Sequence, residues 1–132
     1  MAKAAPDYTS RSYWNGIIKM SLSKFFILRV LHERPMHGYE IAQAVERTTS
    51  GCCSPSEGAI YPALKEFETG GYVVSETEVV SGRERRVYTL TDKGRDAFRT
   101  AVDAWMEVTD SLQAAREVVD RPRAVAGGGC CG

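Results

Sequence analysis

The sequence has no excess of charge of either sign, because its 17 Lys and Arg residues balance its 17 Asp and Glu residues. Net charge therefore gives no argument for nucleic-acid binding, and such an argument has to come from local patches and motif geometry. The sequence also has no apolar run long enough to span a membrane. Residues Met1 to Tyr13 are polar and lack the apolar segment of a signal peptide, so we expect a cytoplasmic protein.

Motifs of the common catalytic classes are missing as well. The sequence has no Cys-x-x-Cys redox motif, no nucleophile with an evident base and no glycine-rich loop that could cradle a phosphate. A chain of 132 residues is one domain by default and leaves little room for a separate catalytic domain. We therefore expect a binding protein and not an enzyme. A thiol enzyme or a metal carrier remains the alternative of a different class.

Apolar periodicity predicts helices in the first third of the chain. A short helix begins after Ser10 and carries Trp14 on its apolar face. A second helix covers Ser23 to Glu33 and is stopped by Pro35. A third covers Gly38 to Thr48 and is followed by a loop.

The next helix has a strong start signal in the sequence. Ser54 can accept a hydrogen bond from the amide near Glu57, and Pro55 stands where no amide proton is needed. Gly70-Gly71 ends this helix. Pro62 lies inside it, where a proline is expected to kink the helix or restrict it to its first turns.

The remaining elements are a hairpin and a long helix. Tyr72 to Val80 and Arg86 to Leu90 are rich in β-formers, and Ser81 to Arg85 between them predicts a basic hairpin tip. Thr91 caps a long helix that begins at Asp92 and is ended by Pro122. The expected fold is mainly α with a small β-hairpin wing, a winged helix-turn-helix with a long C-terminal dimerisation helix. The expected domains are 1–20 (an extension with a short helix), 21–91 (DNA-binding), 92–121 (dimerisation) and 122–132 (a flexible Gly/Cys tail).

Three short helices followed by a hairpin suit DNA binding, because the first two helices present the third to the major groove and the wing lies beside the phosphates. Arginines on the wing would supply affinity through phosphate contact. The alternative is a solvated β-turn with ordinary surface charges. The residues expected at DNA from this pattern are Ser56, Tyr61 and Lys65 on the helix and Arg83, Arg85 and Arg86 on the wing.

Several motifs resemble the PadR family of transcriptional regulators. They are Pro35-Met36-His37-Gly38-Tyr39-Glu40-Ile41, Gly58-Ala59-Ile60-Tyr61-Pro62-Ala63-Leu64-Lys65-Glu66-Phe67-Glu68, Gly71-Tyr72-Val73 and the wing run from Arg85 to Gly94. The resemblance implies a homodimeric winged-helix repressor with a C-terminal dimerisation helix. It also implies that Tyr39, Tyr61 and Lys65 lie near the DNA. It accounts for Pro62 and leaves the effector open.

The long final helix has its own argument for dimerisation. Its continuous apolar stripe is too long to be buried on one small winged domain, although packing within one chain is the alternative. A dimer would present two recognition helices and favour a palindromic operator in double-stranded DNA, with half-sites about one helical turn apart. The residues expected at the dimer interface are Trp14, Phe98, Val102, Trp105 and Leu112.

Two adjacent cysteine pairs are unusual, namely Cys52-Cys53 and Cys130-Cys131. Adjacent Cα atoms are about 3.8 Å apart, so a disulfide within a pair would be strained. Both thiols of a pair can instead turn toward one soft ion. Since Cys52-Cys53 precede the recognition helix, we expect its N-terminal dipole to lower their thiol pKa. Cys130-Cys131 follow three glycines that can act as a tether. Arsenite or a related trivalent arsenical is the favoured effector, ahead of Hg, Cd or Zn.

Three other interpretations of the cysteines stay open. The first is a redox switch in which oxidation links one pair to the other. The second is a repressor that responds to a small aromatic ligand. That ligand would bind between the helices that carry Trp14 and Trp105, and the cysteines would be incidental. The third treats Cys52-Cys53 as small buried apolar residues and Cys130-Cys131 as an accidental tail.

Overall fold

The computed structural model describes residues 5–53 and 55–123. It is mainly helical with one small antiparallel sheet and a long C-terminal helix, so the expected fold class is confirmed. The elements are α1 (Arg11–Leu31), β1 (Met36–His37), α2 (Gly38–Thr49), α3 (Glu57–Thr69), β2 (Val73–Val80), β3 (Arg83–Leu90) and α4 (Asp92–Asp120). No helix in the described ranges is long and apolar enough to cross a membrane.

The first helix corrects the prediction of two separate helices. α1 is continuous over 21 residues and runs through Gly16, where an added Cβ would meet nothing within 4 Å. A single glycine in a helix costs only about 1 kcal/mol, so it weakens α1 without breaking it. Ile27 and Leu31, in the C-terminal part of α1, are buried in the core.

The start of α3 also differs from the prediction. The helix begins at Glu57 with Ser56 in the N-cap position, so the cap expected at Ser54 is wrong, although Ser54 itself lies outside the described residues. The side chain of Ser56 makes no capping hydrogen bond. α3 continues through Pro62 to Thr69. The predicted end is confirmed, because Gly71 has φ +83° and the Tyr72 N–H donates to Phe67 O at 2.8 Å.

The wing is a longer and tighter hairpin than expected. β2 and β3 pair antiparallel over their whole lengths, and the turn is only Ser81-Gly82, with φ of 53° and 78°. These angles are those of a two-residue type I′ turn, whose twist matches that of the strands. The predicted five-residue basic tip is therefore wrong, because Arg83 and Arg85 lie in β3. A third strand that the sequence did not predict, β1, pairs with the other edge of β3.

One hydrophobic core holds the helices against the sheet. It collects buried side chains from α1, β1, α2, α3, β2 and β3, and residues of the first turns of α4 pack against it. These residues form one connected cluster, so the positions of α2, α3 and the wing depend on one another. The buried members are Ile27, Leu28, Val30, Leu31, Met36, Ile41, Ala44, Val45, Ile60, Ala63, Leu64, Val73, Tyr88 and Leu90.

The junction between the wing and α4 is closely packed. The predicted cap is confirmed, since the Gly94 N–H donates to Thr91 Oγ1 at 3.1 Å. A Cβ on Gly94 would lie 2.1 Å from Tyr72 O, so only glycine fits there. The chain divides into two compact units, one ending at Arg99 and one beginning at Thr100. The second unit contains the remainder of α4.

Candidate functional site

A groove of about 560 Å³ lies between the N-terminal end of α2, the exposed side of α3 and the wing. α2 contributes the aromatic ring of Tyr39, which is 60% exposed, and α3 contributes Tyr61, which is 50% exposed. β3 contributes Arg85 and Arg86 from the opposite side. The groove therefore brings together four of the seven residues that the sequence predicted at DNA.

The N-terminal end of α2 forms one side of this groove and is tied down by a capping box. The Glu40 N–H donates to His37 Nδ1 at 3.4 Å, and the His37 N–H donates to Glu40 Oε1 at 3.2 Å. Arg34 Nη1 donates to Glu40 Oε2 at 3.2 Å. Burial alone would raise the pKa of the Glu40 carboxyl, but the hydrogen bonds from His37 and Arg34 outweigh it and lower that pKa below its ordinary value.

Tyr61 lies directly over the first residue of α2. A Cβ built on Gly38 would be 2.6 Å from Tyr61 Oη and 2.7 Å from Tyr61 Cζ. Real Cβ atoms do not make contacts this short, so any larger residue at position 38 would displace the tyrosine ring. The absence of a side chain at Gly38 thus lets α3 approach α2.

The three wing arginines have different surroundings. Arg85 Nη1 lies 3.3 Å from His37 Nε2, which places its guanidinium at the edge of the groove. Arg86 Nη1 donates to Ser75 Oγ at 3.2 Å and lies 3.9 Å from Glu68 Oε1, so part of its charge is already balanced. Arg83 directly follows the turn at the end of the wing. A cation near the groove and another at the wing tip suit contact with successive phosphates.

Three predicted DNA-contact residues lie outside the groove lining, namely Arg83 on the wing and two residues of the α3 region. Lys65 is exposed one helical turn after Tyr61, so the two share a face of α3, while Ser56 is exposed at the helix start. Gln43 and Glu84 line the groove and were missed. Gln43 follows Tyr39 by four residues on α2, and that spacing is the signal that could have found it.

The loop after α2 is a tight left-handed turn. Ser50 and Gly51 have φ of 53° and 82°, and the Cys52 N–H donates to Thr49 O at 3.2 Å. The Cys53 N–H donates to Thr49 Oγ1 at 3.3 Å, which anchors the second cysteine to the last turn of α2. The turn thus fixes where the cysteine pair begins.

The two thiols of this loop point to the same place but have unequal exposure. Their Sγ atoms lie 2.8 Å apart, Cys52 is exposed and Cys53 is 0% exposed. Burial, reinforced by the neighbouring Cys52, raises the pKa of the Cys53 thiol to about 12. The expectation that the α3 dipole lowers its pKa is therefore wrong, because Cys53 is buried and lies four residues before α3 begins.

The other pair, Cys130-Cys131, lies outside the described residues. Within residues 5–53 and 55–123, no three His, Cys, Asp or Glu side chains are grouped closely enough to hold a metal ion. A pair of adjacent thiols can supply two ligands to a thiophilic ion, so a third ligand has to come from elsewhere. The tail thiols as ligands stay a prediction.

The residues expected at a dimer interface occupy different environments. Phe98 packs within its own chain, with its ring centroid 5.4 Å from that of Phe25 and 5.3 Å from that of His32. Trp14 is 50% exposed and donates its indole N–H to Tyr8 O at 2.7 Å. Leu112 is 62% exposed on the distal part of α4, which also carries Val102 and Trp105. Trp14 and Leu112 thus leave apolar surface available.

Comparisons with known proteins agree with this architecture. The family model described as the transcriptional regulator PadR-like family matches residues 27–100. The transcriptional regulator Rv3488 of Mycobacterium tuberculosis is 36% identical over 105 residues, which are 77% of this chain and 90% of that protein. A solved PadR family transcription regulator from Clostridium difficile is 27% identical with a TM-score of 0.61, covering 70% of this chain and 96% of the other. A transcriptional regulator from Clostridium thermocellum, 22% identical with a TM-score of 0.67 over 74% of this chain and 95% of its own, shares the fold.

The match covers more than half of the chain, including α2, α3 and the wing. Members of this family are transcriptional regulators that bind DNA and typically dimerise, and they are not enzymes. The chain belongs to the PadR-like family of transcriptional regulators.

Proposed function

We propose that the protein is a homodimeric repressor that binds operator DNA and is released from it by a soft, thiophilic ion. The observation that carries the DNA-binding half is the groove in which Tyr39, Tyr61 and Arg85 meet. Aromatic and cationic side chains converge there from three elements that share one core. Such a surface matches the edge of a major groove and its flanking phosphates.

Binding would use the face of α3 that carries Tyr61 and Lys65, with Ser56 at the helix start. Arg83 and Arg85 would contact phosphates next to the major groove, and Arg86 would contribute less because Ser75 and Glu68 already engage it. A second copy, joined through the exposed apolar residues of α4 and through Trp14, would give two such surfaces. The operator would then be palindromic.

The Cys52-Cys53 pair supports a thiophilic effector, because its two Sγ atoms lie only 2.8 Å apart on one side of the loop. A third thiol from Cys130 or Cys131, of the same chain or the partner chain, would complete a three-thiol site. Trivalent arsenic takes three such ligands. Mercury, cadmium and zinc are the alternative ions.

The high pKa of the Cys53 thiol favours arsenite over the divalent ions. Three thiols condense with neutral arsenious acid to form three As–S bonds and three waters, so no net proton is released. A divalent ion instead displaces one proton for every thiol that it binds. A thiol whose pKa is about 12 therefore weakens Hg, Cd or Zn binding near neutral pH more than it weakens arsenite binding.

Release would follow from the burial of Cys53. The thiol is fully buried, so an ion that bridges it to exposed Cys52 and to a tail thiol has to draw it outward. The loop that it leaves joins α2 to α3, and the recognition helix would shift with it. A large change in operator occupancy requires that the ion binds the DNA-free form more tightly by several kcal/mol.

The test is a DNA-shift titration of reduced protein on its own promoter region with arsenite, mercury, zinc and peroxide in parallel. We expect arsenite to release the DNA with little change between pH 6 and pH 8. Cadmium affinity, measured alongside, should rise with pH by about tenfold per unit for each proton displaced. The variant pair Cys52→Ser with Cys53→Ala, which keeps the buried position apolar, should bind DNA normally and no longer respond.

Other outcomes decide between the alternatives. An arsenite response that survives the double variant contradicts the thiol site at this loop. Cys130→Ser with Cys131→Ser should weaken the response if the tail supplies the third ligand. Release by peroxide alone would favour the redox switch, and a response to a small aromatic compound that survives removal of all four cysteines would favour the ligand pocket. Failure to bind any DNA from its promoter region would contradict the repressor itself.

A further inference from the structure

We propose that His37 and Gly38, at the junction of β1 and α2, are positioning residues that hold Tyr61 of the recognition helix and Arg85 of the wing in one DNA-binding geometry. Neither His37 nor Gly38 needs to touch DNA for this role. The inference rests on the proposed DNA contacts of Tyr61 and Arg85 and goes beyond them by naming what fixes their positions.

Gly38 acts on Tyr61 through the space that it leaves. The backbone of Gly38 has no positive φ, so an alanine would fit the helix, but its Cβ would fall 2.6–2.7 Å from the tyrosine ring. The ring is half exposed and can swing outward, whereas Gly38 is buried and cannot move away. A methyl group at this position therefore displaces the DNA-contacting side chain and leaves the core as it was.

His37 acts on Arg85 from the opposite side of the groove. Glu40 holds the His37 ring in place, because the Glu40 N–H donates to His37 Nδ1 at 3.4 Å and His37 Nε2 lies 3.2 Å from Glu40 Oε1. Arg85 Nη1 lies 3.3 Å from the same ring nitrogen. The ring of His37, fixed by Glu40, thus gives the Arg85 guanidinium a neighbour of defined position at the N-terminal end of α2.

The two contacts start from adjacent residues, so one rigid junction sets the spacing between recognition helix and wing. α2 begins at Gly38, His37 is its N-cap, and β1 pairs His37 with Val87 of β3. A fixed spacing lowers the ordering cost of binding, because fewer side chains have to be immobilised on the DNA. Loss of the junction contacts should therefore lower DNA affinity with little effect on folding.

The first experiment is a double-mutant cycle on Gly38→Ala and Tyr61→Ala, with affinity measured on duplex DNA from the promoter region and thermal unfolding measured in parallel. We expect Gly38→Ala to weaken binding about tenfold, which corresponds to one misplaced side chain. In the Tyr61→Ala background the same change should have no effect, because no ring remains to displace. Gly16→Ala, where an added Cβ meets nothing, is the matched control and should leave affinity unchanged.

The second cycle uses His37→Asn and Arg85→Ala. Asparagine keeps a side-chain acceptor for the N-cap but is too short to reach Arg85, so the cap and the contact are separated. We expect a loss of a few fold in affinity that disappears in the Arg85→Ala background, with an unchanged unfolding temperature. Arg85→Ala should also reduce the salt dependence of binding by about one phosphate contact.

The outcomes separate this inference from the proposed contacts. If Tyr61→Ala and Arg85→Ala leave affinity unchanged, the contacts themselves are wrong and the inference falls with them. Suppose instead that those variants weaken binding, but that Gly38→Ala and His37→Asn cause the same fold loss of affinity in the Tyr61→Ala and Arg85→Ala backgrounds as in wild type. The contacts then stand and the positioning role is wrong. The positioning role is also wrong if the affinity lost by Gly38→Ala is fully explained by a smaller fraction of folded protein.

Discussion

The two ends of α2 are built in opposite ways. At the N-terminal end, His37 and Glu40 form a reciprocal capping box and Arg34 pairs with the same carboxylate. At the C-terminal end, Ser50 holds a left-handed conformation that favours glycine, and the buried Cys53 has its Sγ 2.8 Å from that of Cys52. The N-terminal end is fixed by side-chain hydrogen bonds and an ion pair, and the C-terminal end by the hydrogen bonds of a left-handed turn and one buried side chain.

Under the proposed function, the two ends of this helix would have separate tasks. The capped end lines the groove, where a constant geometry would favour DNA recognition. The other end leads into the loop before α3, so a change at Cys53 would act on the start of that helix. An effector that binds Cys53 would therefore act on the left-handed turn and leave the capped end in place.

The largest predicted effect at the C-terminal end is a loss of stability at alkaline pH. The pKa of the Cys53 thiol is raised in the folded state to about 12 from an ordinary value of 9.0. Below the unfolded-state pKa the thiol is protonated in both states and its contribution is fully present. As pH rises from there toward 12, only the unfolded state ionises, so the free energy of unfolding should fall by up to about 1.4 kcal/mol per pH unit.

Chemical denaturation across this pH range tests the prediction when wild type is compared with Cys53→Ala. Lost packing should lower the free energy of unfolding of Cys53→Ala by a constant amount at every pH. The additional decline of that free energy at alkaline pH should be absent from the variant. Cys52→Ala should keep most of the decline, because burial is the main cause of the shift in Cys53. Parallel curves for wild type and Cys53→Ala would show that the buried thiol does not carry this effect.

The strained turn predicts a smaller effect of opposite sign. Ser50→Gly should raise the free energy of unfolding by about 0.5–1 kcal/mol, since relief of the left-handed serine outweighs the added freedom of glycine in the unfolded chain. Gly51→Ala, at φ 82°, should lower stability and serves as the control of opposite direction. A neutral Ser50→Gly, measured by urea unfolding, would mean that this end of α2 carries no strain worth relieving.

Local sequence patterns were enough to predict much of the fold. The wing strands, the Gly70-Gly71 helix end and the Thr91 cap follow from turn chemistry and periodicity, and the structure has each of them. The continuous α1 was missed because the sequence shows two apolar segments, one after Ser10 and one from Ser23, and no local pattern shows that one helix joins them. Local sequence preference also selected Ser54 as the cap of α3, whereas the structure has Ser56 in the N-cap position.

Only part of the site could be predicted from the sequence. Tyr61 and Arg85 could be named from their positions on predicted elements, and Tyr39 from the resemblance to the PadR family. The contacts of Gly38 with Tyr61 and of His37 with Arg85 join residues 23 and 48 positions apart, so they depend on tertiary packing. The burial of Cys53 is likewise a tertiary property, and it reversed the expected direction of the thiol pKa.

The smallest predicted effect concerns the ion pair at the capped end. Arg34 Nη1 lies 3.2 Å from Glu40 Oε2, but the two side chains are 53% and 34% exposed, so Arg34→Ala should cost less than about 0.5 kcal/mol at pH 7. The lowered pKa of Glu40 makes this contribution present above the ordinary carboxyl pKa and lost as pH falls through the folded-state value. Urea unfolding at pH 7 and near pH 3 should therefore show a small difference from wild type that vanishes in acid. His37→Ala, which removes the cap, should cost about 0.5–2 kcal/mol instead. If Arg34→Ala were the more damaging of the two, the N-terminal end of α2 would be held by its surface charges, and the contrast between a capped end and a strained end would need a different physical basis.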